Sequence, residues 1–122
     1  MQISDIEQRE ISDKNGSSYR AALRNLCEPF DLRNLLVHEE TLLPGDSGSR
    51  PHYHTAKEEI IVILEGLVRV SIGDRVEELG PGAVFGFPPG VANRHFLTNV
   101  GTSIARYLSI GTVIESDRTI YE

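Results

Sequence analysis

The sequence predicts an all-β chain, a sandwich or barrel of short antiparallel strands behind a looser front segment. Three observations carry this reading. From Pro44 onward lie ten of the eleven glycines and five of the six prolines, so chain breakers recur between short β-branched runs, as they do in all-β folds. The last two-thirds of the chain shows no helical amphipathic periodicity. The composition, 39% hydrophobic and 25% charged, is that of a globular protein. At 122 residues the chain is expected to form one domain, large enough to bury a core without a disulfide or a metal.

Residues 1–16 are polar and read as an arm, with a short edge strand over Gln8–Ile11. Ser17 and Ser18 could cap a short helix from Tyr19 to Cys27, which Pro29 would end. Phe30–Leu43 is a long strand closed by Pro44-Gly45-Asp46. Glu59–Leu64 is a continuous apolar run, expected of a strand buried on both sides or curled into a barrel wall. Leu67–Ile72 alternates, with Val68, Val70 and Ile72 on one face. Gly73-Asp74 turns it into Arg75–Leu79, and Ala83–Phe87, Arg94–Asn99, Ile104–Ile110 and Val113–Glu115 complete the strands.

The charge balance excludes several classes of partner. With 12 basic and 18 acidic residues the net charge is −6, and nucleic acid or an anionic membrane surface would require a clustered positive face. No apolar run is long enough to span a bilayer. The acidic N-terminus does not resemble a signal peptide, and a lone Cys27 suits a reducing compartment, so a cytoplasmic location is expected. Cys27 reads as a small buried hydrophobe.

The chemistry lies in the histidines. His52-Tyr53-His54 places two imidazoles on one face of an extended segment and Tyr53 on the other. Glu58 and Glu59 follow at the next strand, and only one of them can face the pair. His95 opens a later strand that an antiparallel barrel can bring alongside. Three imidazoles and a carboxylate favour a divalent transition metal and leave positions open for a ligand. His38 reads as structural or solvated. Tyr107, Phe85, Phe87 and Phe96 either fill the core or line a pocket over the metal. Arg106, in an otherwise apolar strand, either faces outward or offers a fork for a carboxylate.

The segment GSRPHYHTAKEEIIVILEG resembles the first motif of the cupin family. His52, His54, Glu59 and Gly66 hold that motif's spacing, which selects Glu59 over Glu58. The stretch GAVFGFPPGVANRHFLTN resembles the second motif through Gly82, Pro88, Gly90, His95 and Asn99. Four residues separate Gly90 from His95 where two are usual, and Asn93 stands in the common histidine position. Neither Gly45 nor Gly48 is in register with the opening glycine of the first motif. The resemblance implies a jelly-roll barrel (a double-stranded β-helix) over 31–115, with an arm and short helix over 1–30 and a tail over 116–122. It implies a divalent metal (Fe, Mn, Ni or Zn) on His52, His54, Glu59 and His95, and Asn99 in a structural role. The expected ligand is a small oxygen-rich molecule such as a diol, hydroxy acid or enolate. A metal-dependent dioxygenase or isomerase is one reading, and a non-catalytic binder or sensor of a sugar or acid is the other. A homodimer is also expected, because small members of the family commonly pair and the front strands can cover a neighbour's sheet edge.

Overall fold

The computed structural model describes residues 1–13 and 18–121. Its strands are β1 (Arg9–Ser12), β2 (Arg20–Asn25), β3 (Leu35–Leu42), β4 (Tyr53–His54), β5 (Glu59–Glu65) and β6 (Val68–Ile72). They continue as β7 (Arg75–Leu79), β8 (Val84–Phe87), β9 (His95–Asn99), β10 (Ala105–Thr112) and β11 (Thr119–Ile120). All pair antiparallel. A six-stranded sheet runs β1-β2-β3-β10-β5-β8, a three-stranded sheet runs β7-β6-β9, and β4 pairs with β11. The jelly-roll expectation holds, although the barrel is not closed: its ladders form separate sheets, bridged singly at Ser47–Thr98 and His52–His95.

The core lies between the two larger sheets. Leu42, Ile61, Ile63, Phe87 and Tyr107 from the large sheet pack with Val68, Val70, Ile72 and Leu97 from the small one. Val68, Val70 and Ile72 share the buried face, as their alternation requires. The apolar run of β5 is not buried on both sides. Ile61 and Ile63 face the core, while Ile60 and Leu64 stand exposed on the outer face. Gly66 turns β5 into β6 at φ 83°, and a Cβ there would come within 2.5 Å of the Ile104 carbonyl. No side chain fits that approach, which explains the glycine at the end of the first motif.

The front of the chain departs from expectation. The edge strand near Gln8–Ile11 forms as β1, but residues 19–27 form no helix: Arg20–Asn25 is β2. Ala22, Leu23, Arg24 and Asn25 pair with Thr41, Glu40, Glu39 and His38. A helix there would leave the β3 edge unpaired, and that ladder outweighs the weak helix propensity of a short run. Ser17, one of the two expected caps, falls outside the described residues. Pro29 sits instead in a 3₁₀ turn, Glu28–Phe30, which shortens the long strand expected from Phe30. At the other end, 113–115 is not a strand, and β11 lies within the segment expected as a tail.

Outside the large sheet, Glu39 is 1% exposed and sits between two arginines. Arg24 Nη1 donates to its Oε1 at 2.9 Å, and Arg106 Nη2 donates to its Oε2 at 2.6 Å. Arg24 Nε also donates to the Ile6 carbonyl, tying the N-terminal arm to this face. Arg106 therefore points away from the cavity, as the outward reading has it.

Candidate metal centre

The backbone brings the histidines together before their side chains do. His52 and His95 form an antiparallel hydrogen-bonded pair, with N–H to O=C distances of 3.1 and 2.8 Å. Facing residues of such a pair project to the same side, and the two imidazole centroids are 4.6 Å apart. His54, two residues on, shares that face with a centroid 5.3 Å from His52. The lengthened gap of the second motif becomes a single 3₁₀ turn, Val91–Asn93, so His95 still enters β9 facing inward. His95 is 3% exposed and stacks on Phe87 at 3.6 Å between centroids.

Glu59 opens β5 toward these rings. Potential donor atoms of His52, His54 and Glu59 lie within 4.8 Å of one another. His95 is not one of that mutually close trio, but its Nε2 is 3.5 Å from Glu59 Oε1, so the third imidazole borders the cluster on the Glu59 side. Ser109 donates to Glu59 Oε2 at 2.6 Å. Glu59 Oε1 is buried and hydrogen-bonded to nothing among the described residues. Glu58 stays outside the cluster.

Each imidazole is fixed in the same tautomer. His52 Nδ1 lies 2.8 Å from the Arg50 carbonyl and His95 Nδ1 lies 2.8 Å from the Asn93 carbonyl. A carbonyl only accepts, so both nitrogens carry protons. His54 Nδ1 lies 2.9 Å from Asp117 Oδ2, which imposes the same assignment. Nε2 is therefore the coordinating position on all three rings, which is how ligating histidines are oriented from behind, and on His95 it faces Glu59 Oε1. The orphaned Glu59 oxygen adds an anionic donor. This donor set, three imidazoles and one carboxylate, suits a divalent transition ion.

Burial opposes the Glu59 charge, but its contacts with His95 and Ser109 and the nearby Lys57 outweigh that cost, lowering the carboxyl to about 2. It is anionic throughout the neutral range. Burial lowers His52 from 6.5, against the opposing pull of the Arg50 carbonyl, which keeps the ring neutral and ready to ligate.

The surrounding cavity has a volume of about 300 Å³. His38, read from sequence as structural or solvated, lines it, as do Glu40, Lys57, Tyr107 and Ser109. Tyr107 is also a core residue, so the two readings merge for it, whereas Phe87 is a core residue that stacks on His95 outside the cavity lining. Asn99 keeps its structural role: its amide donates to the Leu42 and Ser103 carbonyls, and its Oδ1 accepts from Gly101 N–H. Cys27 is buried.

Sequence reasoning missed Asp117 and Glu40. Asp117 also accepts from the N–H groups of Ala56 and Lys57, at 2.9 Å each, through Oδ1. Its partners lie some sixty residues upstream, and no local pattern announces them. Glu40 was open to discovery: with His38 it puts two polar groups on the β3 face that ends in buried Leu42. Asp117→Asn is expected to weaken divalent metal binding by about 10–100-fold, the usual cost of losing a group behind a ligand. Isothermal titration with Mn²⁺ would measure this, and unchanged affinity would show that Asp117 only braces the loop.

A family model for the Cupin domain matches residues 38–111. In Arabidopsis thaliana, germin-like protein subfamily 1 member 1 is 30% identical over 118 aligned residues, covering 80% of this chain and 53% of that protein. The chain thus spans about half the length of this curated relative. Among solved structures, a cupin-superfamily sugar phosphate isomerase from Silicibacter pomeroyi superposes with TM-score 0.89 at 24% identity, covering 100% of this chain and 80% of that one. A predicted oxalate decarboxylase from Thermotoga maritima superposes with TM-score 0.78 at 23% identity, covering 93% and 97%. A polyketide cyclase from Streptomyces resistomycificus gives TM-score 0.78 at 24% identity, covering 99% and 82%. At these identities the solved structures show the fold alone. The matched span contains both histidine motifs, the paired backbone that joins them and most of the core, and by that match the chain belongs to the cupin domain family.

Proposed function

We propose that the chain is a metal-dependent cupin that holds a divalent transition ion on His52, His54, Glu59 and His95 and uses it to take up a small oxygen-rich molecule. The observation that supports this most directly is the common tautomer. Each of three imidazoles has its Nδ1 held by an acceptor behind the ring, which reserves Nε2 for a ligand, and beside them a buried Glu59 oxygen makes no hydrogen bond among the described residues. Such an arrangement is costly without a cation, because a buried unpaired acceptor keeps its full desolvation penalty. Four protein donors leave one or two positions open on a five- or six-coordinate ion. When bound, the ion supplies Lewis acidity toward chelating oxygens such as those of a diol, hydroxy acid or enolate. The protein's own groups add a polar cavity wall and a cation, Lys57, near the carboxylates.

Metal analysis of protein purified without chelators is the test, paired with electron paramagnetic resonance of the Mn²⁺ form. One ion per chain with nitrogen and oxygen donors is expected, and a stoichiometry near zero under saturating metal would reject the site. A clear pH dependence should accompany it. Imidazoles ligate only when neutral, and His52 is lowered below 6.5. Affinity should therefore be level at neutral pH and fall on acidification, as protons compete with the metal for the ring nitrogens. Metal affinity that rises on acidification would contradict imidazole ligation.

We further infer a homodimer. Leu35, Ile60, Leu64 and Val84 are exposed on the outer face of the large sheet, and a second copy would cover them. Light scattering at micromolar concentration should give twice the chain mass, and the monomer mass would reject the pairing.

A further inference from the structure

One carboxyl in the cavity wall is left unused by the four donors. Glu40 stands on β3, two residues beyond His38 on the same face, and among the described residues it is the only carboxyl lining the cavity besides Glu59. Its register partner on β10 is Tyr107, whose hydroxyl donates to Glu40 Oε1 at 3.2 Å. Opposite the pair lies Gly48, where a Cβ would stand 2.6 Å from the Tyr107 hydroxyl and 3.5 Å from Glu40 Oε1. Glycine at 48 therefore leaves the space that this hydrogen bond occupies. The titratable and charged groups facing Glu40 are His38 on its own strand, Tyr107 on β10, Glu59 on β5 and Lys57 in the loop before β5.

We propose that Glu40 is the acid–base group of this site, moving a proton between adjacent carbons of an α-hydroxy carbonyl compound held in the cavity. The inference rests on the metal reading above and assigns it a reaction class, aldose–ketose type isomerisation. A carboxyl that neither ligates nor makes an ion pair inside an oxygen-binding cavity is available for proton transfer. Its surroundings suit that role. Burial first, and the Glu59 charge second, raise Glu40 to about 7, against the opposing effects of Tyr107 and Lys57. Burial, the larger of these causes, remains with a metal bound, so Glu40 keeps a carboxyl that holds its proton more firmly than an exposed one, as suits an acid–base group. Tyr107 is a positioning residue. Burial and the adjacent Glu40 raise its hydroxyl well above the ordinary value, so it stays protonated and holds one carboxyl oxygen in place.

The step is balanced within the substrate. The Glu40 carboxylate removes the proton from the hydroxyl-bearing carbon. That C–H electron pair becomes the C=C bond of an enediol, and the carbonyl π pair moves onto its oxygen. The Glu40 carboxylic acid then returns its proton to the former carbonyl carbon, while the hydroxyl proton passes from one oxygen to the other. Nothing is oxidised or reduced overall, and no co-reactant is consumed.

The experiment uses the full chain loaded with Mn²⁺, with dihydroxyacetone and dihydroxyacetone phosphate in D₂O, following loss of the carbon-bound proton signal by NMR. The wild type should accelerate exchange with at least one of the two. Glu40→Gln should lose about 10²–10⁴ of that rate while binding Mn²⁺ with unchanged stoichiometry. Tyr107→Phe should keep part of the rate and move the pH profile. In the metal-free protein, infrared titration should show a carboxyl band changing near pH 7 that Glu40→Gln abolishes. Bound Mn²⁺ with no exchange, equal exchange in Glu40→Gln, or a Glu40 band that titrates below about pH 5 would each overturn the role of Glu40 and leave the metal reading standing. Failure of the wild type to bind Mn²⁺ would overturn the metal reading instead, and the infrared titration would then decide Glu40 by itself.

Discussion

His54→Ala is expected to remove most of the bound metal and leave the fold in place. Of the four proposed ligands, His54 has the most elaborate support: its Nδ1–H is held by Asp117, which also clamps the backbone N–H groups of Ala56 and Lys57, and its strand β4 is pinned by β11. Losing a group behind a ligand costs about 10–100-fold in affinity, so losing the ligand itself should cost at least that. The fold should survive because the packing core of Leu42, Ile61, Ile63, Val68 and Val70 does not include His54. Asp117 keeps those two backbone donors after the substitution. Metal content of the purified variant, read beside its circular dichroism spectrum, checks both halves. A variant that retains a full equivalent of metal would remove His54 from the donor set.

Glu39→Ala is expected to be strongly destabilising, with no direct effect on the metal. Glu39 is 1% exposed, and its carboxylate joins Arg24 to Arg106 across two neighbouring strands. Removing it leaves two guanidiniums facing each other without the anion between them. Breaking a buried ion pair from one side costs about 3–5 kcal/mol. The lower figure applies, because Arg24 and Arg106 keep side-chain exposures of 20% and 32%. For a chain of this size that corresponds to a fall in Tm on the order of 10 °C. Neighbouring residues of β3 point to opposite faces, so the change leaves His38 and Glu40 where they are. Urea denaturation of wild type and variant gives the comparison. A loss below about 1 kcal/mol would mean that water replaces the carboxylate and the triad contributes little.

The sequence determined most of the strands after Pro29, which follow short-range rules, and its two motifs named the four side chains to inspect. Alternation puts Val68, Val70 and Ile72 inward and sets His52 and His54 on one face. Glycine and proline mark the turns between runs, while the choice of Glu59 over Glu58 came from the resemblance to the cupin motif. Tertiary structure decided what depends on partners distant in sequence. Residues 20–25 became β2 because the β3 edge offered a ladder that a short helix could not match. His95 turned inward because its backbone pairs with His52 across more than forty residues, with one 3₁₀ turn absorbing the longer gap. Asp117 reached His54, and Glu40 met Tyr107, only through strand register. A local pattern fixes the face on which a side chain sits, whereas the atoms opposite it are chosen by how the sheets fold over one another.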